Sequence, residues 1–289
     1  EIRLSLVGSE MCIRDSYCYV PAPASIWTGI RKVPSASYVT FSSDAPVGVL
    51  PEPSAYWSLR DHVVSAQSAR IASEGEAIEE LQRLLSAAIR RQCLSDVPLG
   101  AFLSGGIDSS TVVALMQAQA SQPVRTFSIG FREGAFDEAE DAGKVAAYLG
   151  TAHTELYVES RTAREVIPLL PRMYDEPFAD SSQIPTHLVA QLARRQVTVA
   201  LSGDGGDELF GGYNRHVWGG RLQARLANEP GVVRDAASAL LGALSPKRAD
   251  AIAGLVQPLL PERFNVRRAG DQMAKLARIV SAKSSEELY

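Results

Sequence analysis

The stretch Pro98 to Met116, PLGAFLSGGIDSSTVVALM, constrains this chain more than any other. Pro98 to Leu103 predicts a short buried strand, Ser104-Gly105-Gly106 a turn, and Ile107 to Met116 a helix that is apolar nearly all round. A strand that feeds a helix through a Ser/Gly turn leaves free backbone N–H groups at the helix N-terminus, aimed at one point. Those donors and the helix dipole favour an anion there. Ser104, Ser109 and Ser110 add hydroxyl donors, and the missing Cβ of Gly105 and Gly106 lets an anion approach the backbone. A turn that merely covers a sheet would use the same glycines. Asp108 separates the two readings, because beside a phosphate it repels unless a divalent cation such as Mg2+ lies between them. The expectation is a cradle for a nucleotide bound with its metal.

With 289 residues the chain has room for about two domains. No apolar run approaches the ~18 residues of a membrane span. A net charge of −4 gives no basic surplus, which argues against nucleic acid as a partner. Cys12, Cys18 and Cys93 are odd in number and lack metal-ligand spacing, as fits a reducing cytosol. Residues 1–16, EIRLSLVGSEMCIRDS, fit nothing that follows and read as a non-native leader. Cys12 within them has no activating base after it, so it is not expected to act as a nucleophile.

Residues 17–60 are rich in Pro, Ser and aromatics and read as the tail of a preceding domain. Within them Val33 to Phe41 and Val47 to Leu50 predict a small hairpin, with Pro51 to Pro53 as a break. A new domain starts at residue 73. Ser73 and Glu76 have capping-box spacing, and Ile78, Leu81, Leu84, Leu85, Ala88 and Ile89 share one helical face. Then come a strand over Val124 to Phe131, a helix over Glu138 to Leu149 and a strand over His153 to Val158. A helix over Thr162 to Met173, interrupted at Pro168, precedes one from Pro185 to Arg195 that Ser182 caps, and the apolar strand Val197 to Leu201. Alternating helices and buried strands predict an α/β fold: a parallel sheet with helices on both faces. Ligands of such sheets sit at the carboxyl ends of the strands, which puts Ser104-Gly105-Gly106, Ile129-Gly130 and Ser202-Gly203 along one rim.

After Leu201 the loop SGDGGDELFGGYNRH carries acids at Asp204, Asp207 and Glu208. Asp207 can join Asp108 as an oxygen ligand for Mg2+, and Asp204 can hold or deprotonate an amine. The acidic loop Asp175-Glu176-Pro177-Phe178, followed by Asp180-Ser181-Ser182, can line a substrate pocket on the same rim. His153 and His187 lack a paired acid or metal partner in the sequence and are expected to be structural. From about Val217 the sequence is helical, and it ends at Tyr289 in mid-pattern, as a chain cut short would.

LSGGIDSS, TFSIGF, YDEPFADSSQIPTHLVAQLAR and SGDGGDELFGGY in this order resemble glutamine-dependent asparagine synthetase, and more broadly the PP-loop ATP pyrophosphatase superfamily with its adenine nucleotide alpha-hydrolase-like fold. The resemblance implies a glutaminase tail over 17–60 and an asparagine synthetase domain over 73–289 with an incomplete helical lobe. It implies ligase chemistry on ATP with Mg2+: aspartate's side chain forms β-aspartyl-AMP and pyrophosphate, and glutamine-derived ammonia displaces AMP. By motif, Ser104, Gly105, Gly106, Asp108 and Ser109 would hold the pyrophosphate portion. Leu103 and Ile129 would meet adenosine through their backbones, with Ser202 and Gly203 also on the nucleotide. Asp108 and Asp207 would bind Mg2+, and Asp204 takes the place of a catalytic acid that many members carry as Glu. A full-length cytoplasmic enzyme of this kind would include a glutaminase domain and admit a homodimer. The family's late lysine falls beyond Tyr289, so the fragment alone is expected to be poorly active. Rival expectations are an adenylating synthetase for another acid, such as a β-lactam or peptide-modifying relative, and a non-catalytic nucleotide-binding module.

Overall fold

Apolar strands too short to bury themselves alone, set between helices with one apolar face, dictate the architecture. The computed structural model describes residues 19–44, 46, 48–131, 138–213 and 238–239. The leader, Cys12, Cys18 and the helical region after Val217 lie outside these apart from two helical residues, 238–239. The chain divides into two compact units, Glu1–Asp204 and Gly205–Tyr289.

In the first unit, β1 (Ser37–Tyr38) pairs antiparallel with β2 (Ser54–Ala55), and α1 (Leu59–Ala66) and α2 (Glu74–Gln92) follow. The expected hairpin therefore closes on a different partner. Val49 donates its N–H to Pro46 O in a local turn, while Tyr56 N–H reaches Ala36 O at 2.9 Å. Apolar alternation marks a surface that wants covering, whereas pairing here is set by which backbone edge the turn delivers. Helix α1 was not expected; Ser58 caps it through Asp61 N–H. Ser73 caps α2 by accepting from Glu76 N–H at 3.4 Å, as its spacing predicts. The face of α2 is covered only near its end, where Ile89 is buried; Ile78 and Leu84 stay half exposed or more.

The main sheet comprises β3 (Leu99–Phe102), β4 (Arg125–Phe131), β5 (Ala152–Val158) and β6 (Val199–Leu201), all parallel in the order β5-β4-β3-β6. The intervening helices are α3 (Ile107–Gln117), α4 (Glu138–Leu149), α5 (Ser160–Val166), α6 (Leu170–Met173) and α7 (Gln183–Ala193). Pro168 breaks the α5–α6 run as predicted, leaving a 3-10 turn over Ile167–Leu169. One face of the sheet packs Ala101, Leu103 and Leu201 against Ile89 of α2, Val113 and Met116 of α3, and Ala142 and Ala146 of α4. The other packs Phe127 against Leu192 and Ala193 of α7, and Val158 against Val166 of α5 and Leu188 of α7. Helices on both faces are thus observed.

A polar seam crosses the first face. Buried Thr126 and Ser128 of β4 contact His153, with Thr126 Oγ1 2.8 Å from Nδ1 and Ser128 Oγ 3.2 Å from Nε2. Thr151 Oγ1 lies 2.9 Å from Thr126 Oγ1, and Glu155 Oε1 3.5 Å from His153 Nε2. The seam makes His153 a structural group.

Two outcomes follow. Phe127→Ala should cost about 3–5 kcal/mol in urea unfolding, because the ring is fully buried between sheet and α7. Burial holds the His153 imidazole below its ordinary pKa, with Glu155 opposing this in part. The unfolded chain therefore takes up a proton first as pH falls through about 6.5, so stability drops on acidification. Denaturant midpoints should fall between about pH 7 and 5, and His153→Asn should flatten that slope.

Candidate functional site

The order β5-β4-β3-β6 reverses direction at β3. From β3 the chain moves outward through β4 to β5, then returns to the far side of β3 as β6. In parallel α/β sheets such a switch point is where ligands meet the carboxyl ends of the strands. Ser104-Gly105-Gly106 leaves β3 and Ser202-Gly203 leaves β6, so both informative loops belong to this switch point.

The first loop is knitted by two serines. Ser109 Oγ accepts from Ser104 N–H at 3.2 Å, lies 2.9 Å from Ser104 Oγ and donates to Gly106 O at 3.3 Å. Gly106 N–H donates to Ser104 Oγ at 3.3 Å. Ser109 is buried and spends its hydroxyl on the turn, while Ser104 faces solvent. Gly106 at the N-cap of α3 brings no side chain, so no side-chain acceptor serves the first-turn amides. The positive end of the dipole is bare. Asp108 sits in that first turn, half-buried. Ser110, expected to add a donor, has its hydroxyl buried without a hydrogen-bond partner among the described residues; one step farther round the helix, it faces protein rather than the open turn.

Gly105 has φ +80°, and a Cβ there would stand 2.8 Å from Ala142 N and 3.0 Å from Asp141 Cβ. Helix α4 thus backs the turn, and only glycine satisfies both the left-handed backbone and the contact. Gly203 approaches from the other side. A Cβ on it would lie 2.7 Å from Ser109 N and 3.1 Å from Asp108 C. The two loops are therefore in backbone contact at the start of α3.

Beyond Gly203, Asp204 is exposed and tied back to Ser202, whose Oγ donates to Asp204 Oδ2 at 3.0 Å and accepts from Asp204 N–H at 3.4 Å. On the β4 side, Leu103 is 1 % exposed and donates its N–H to Phe127 O at 2.9 Å. The β3 register stops at Phe127, so Ile129 lies past the end of β3 and pairs with Leu156 of β5. Leu103, Ser104–Ser109, Ile129 and Ser202–Asp204 hence occupy the carboxyl end of one sheet.

In the second unit, α8 (Gly206–Phe210) carries Asp207 and Glu208 in its first turn, between left-handed Gly205 and Gly211. Asp207 O accepts from Gly212 N–H at 3.0 Å, and Tyr213 Oη donates to Glu208 Oε1 at 2.6 Å. Among the described residues, no three His, Cys, Asp or Glu side chains gather as a metal cage.

The acidic loop reaches the same end of the sheet. Ile184 and Leu188 of α7 pack with Ile129, Phe131 and Val158, whereas Leu192 and Ala193 pack with Phe127 and Val197 nearer the strand starts. Helix α7 thus begins at the carboxyl rim, and the loop before it sits there too. Ser182 occupies the N-cap position without a side-chain cap, because its backbone is already helical; Asp180 Oδ1 instead accepts from Ser182 N–H at 2.8 Å. Sequence reasoning missed that residues 19–32 hold this loop: Trp27 Nε1 donates to Asp175 O at 3.2 Å, and Lys32 pairs with Glu176. No local signal announces a contact between residues so distant in the chain. Cys93 is half-buried and burial raises its thiol pKa, which keeps it protonated and unreactive.

Gly203→Val should push the loops apart: we expect a loss of about 1–3 kcal/mol in thermal unfolding, and faster hydrogen exchange at Ser104–Ser110. Ser109→Ala should cost about 1–2 kcal/mol, since it orphans the Ser104 N–H.

Residues 80–287 match the family described as asparagine synthase. A putative asparagine synthetase (glutamine-hydrolyzing) 2 of Methanocaldococcus jannaschii is 41% identical over 205 residues, covering 71% of this chain and 38% of that protein. Asparagine synthetase (glutamine-hydrolyzing) 1 of Bacillus subtilis is 33% identical over 199 residues, covering 69% of this chain and 30% of that one. This chain thus spans between 30% and 38% of the length of these relatives. The NH3-dependent NAD synthetase of Campylobacter jejuni aligns with 72% of this chain and 95% of its own, at 12% identity and a TM-score of 0.35. No helix among the described residues is long and apolar enough to cross a membrane. The match over residues 80–287, carrying both glycine loops and the strands that bear them, places the chain in the asparagine synthase family.

Proposed function

We propose that the loops at the carboxyl ends of β3 and β6 bind ATP for cleavage at its α-phosphorus, and that the full protein makes asparagine from aspartate with glutamine-derived ammonia. The observation that carries this reading is the backbone contact of Gly203 with Asp108 and Ser109, which joins both loops at one helix start. In this reading residues 73–289 belong to a synthetase domain and residues 17–60 to the tail of a glutaminase domain, in a cytoplasmic enzyme that admits a homodimer.

We assign the roles as follows. Ser104, Gly105, Gly106 and the first-turn amides of α3, Asp108 and Ser109 among them, receive the pyrophosphate portion; Ser109 does so by holding the turn. Leu103 and Ile129 offer backbone edges to adenosine, and Ser202 and Gly203 close on the nucleotide from the β6 side. Asp108 offers a hard oxygen ligand suited to Mg2+, which takes one or two carboxylates and completes its shell with phosphates; the family motif, and not a distance, assigns Asp207 to the same ion. When bound, that ion would neutralise charge on the departing pyrophosphate.

An aspartate side-chain oxygen attacks the α-phosphorus, an O–P bond forms, and the bond to the bridging oxygen breaks to release pyrophosphate. Growing charge on that leaving group meets fixed donors at the α3 terminus. Ammonia nitrogen then attacks the acyl carbon, the acyl C–O bond breaks, and AMP leaves with the electron pair. Asp204, exposed and anchored by Ser202, accepts the proton that the amine sheds in this reading. The loops carry no GxxxxGK[ST] lysine of the kind that serves γ-phosphoryl transfer.

The test uses the full reading frame around this chain. Pyrophosphate and AMP should form only when aspartate is present; indifference to aspartate, or ADP as product, overturns the proposal. Asp108→Ala should weaken Mg-ATP binding by about tenfold or more, and Asp204→Asn should lower kcat by about a hundredfold while ATP affinity stays within about threefold.

A further inference from the structure

The segment Tyr19–Lys32 is bound to the rim loop Tyr174–Phe178 by contacts that the proposed chemistry does not use. Lys32 Nζ donates to Glu176 Oε1 and to Val20 O, and the pair is shielded, with side chains 33% and 17% exposed. Ile26 N–H donates to Glu176 Oε2 at 3.4 Å, and Trp27 Nε1 to Asp175 O at 3.2 Å. Glu176 thus receives donors on both oxygens, all from a segment some 150 residues earlier. Val20 and Ile26 are buried beside it. Between segment and loop lies a cavity of about 470 Å3 walled by Tyr19, Trp27, Tyr174 and Phe178. The rings of Tyr174 and Phe178 stand 5.3 Å apart and stiffen the loop from within.

Its consequence lies at the far end of the same loop. From Phe178 the chain runs to Asp180 and Ser182 and into α7, whose first turns pack on Ile129 and Phe131 at the carboxyl rim. Phe178 O also accepts from Gln183 Nε2 at 3.2 Å, so the loop and the start of α7 move together. The loop carries two further acids, Asp175 and Asp180, the second accepting from Ser182 N–H at 2.8 Å within its own turn, and among the described residues neither carboxylate ties the loop to a distant segment. Glu176 is the acid that is fixed.

We propose that the Lys32–Glu176 pair is a positioning contact: through it the segment before the sheet sets where the acidic rim loop stands, and so the affinity of the site for the acid substrate. The proposal rests on the reading of the rim as an ATP-dependent site for a carboxylic acid. Lys32 and Glu176 act through the loop and touch no reacting atom.

The test compares wild type, Lys32→Met, Glu176→Gln and the charge-swapped double variant Lys32→Glu/Glu176→Lys, each in the full reading frame. Hydrogen exchange at residues 174–184 should be about tenfold faster in each single variant and recover to within about threefold in the swap. The KM for aspartate should rise about tenfold in the single variants and recover likewise, with kcat and the KM for ATP within about twofold of wild type. Unchanged exchange in the single variants overturns the proposal. So does a swap as impaired as the single variants, or a rise in both KM values together, which a general loss of structure would give. If the wild type forms no pyrophosphate with aspartate, the functional reading fails by itself, and the exchange comparison still decides whether the pair holds the loop.

Discussion

The approach of Gly203 to the first turn of α3 is the constraint on which the rest of the site depends. A Cβ on Gly203 would stand 2.7 Å from Ser109 N, so the two backbones meet with no side chain between them. That contact requires β6 to lie next to β3, which the parallel register Leu99↔Val199 to Ala101↔Leu201 provides. It requires an α3 terminus free of a capping side chain, which Gly106 provides. It also requires the turn to be rigid, which the Ser104–Ser109 hydrogen bonds and the backing of Gly105 by α4 provide. Each is a packing or hydrogen-bonding requirement, and together they bring both loops to one helix start that no side chain caps.

The proposed chemistry rests on what the start of α3 can stabilise. Fixed amides at a helix terminus favour an anion without rearranging when charge appears, which suits a leaving group that gains charge as it departs. Carboxylates such as Asp108 would oppose that anion alone and suit it when Mg2+ is shared. Under the proposed function the loop after β3 would serve the departure of pyrophosphate, and Asp204, held by Ser202 Oγ, would serve proton transfer.

Much of this was legible in the sequence, for physical reasons that can be named. Strands over Val124 to Phe131 and Val197 to Leu201, each set between helical patterns, called for a parallel sheet, and the turn glycines then marked its rim. Ser73 announced its helix because capping is local. What stayed hidden was non-local. The partner of β1 is Ser54–Ala55, chosen by a backbone edge and not by the apolar Val49-Leu50. Ser110 looked like a third donor, yet its place on α3 turns the hydroxyl inward. The grip of Lys32 on Glu176 depends on two segments that only the fold brings together.

The central claim is that this rim activates a carboxylic acid by attack at the α-phosphorus. It is tested most directly by tracing oxygen. The full protein, given aspartate labelled with oxygen-18 in its side-chain carboxylate together with ATP and an ammonia source, should deliver one labelled oxygen to the phosphate of AMP and none to pyrophosphate. Label appearing in inorganic phosphate beside ADP, or AMP formed without label, would contradict it.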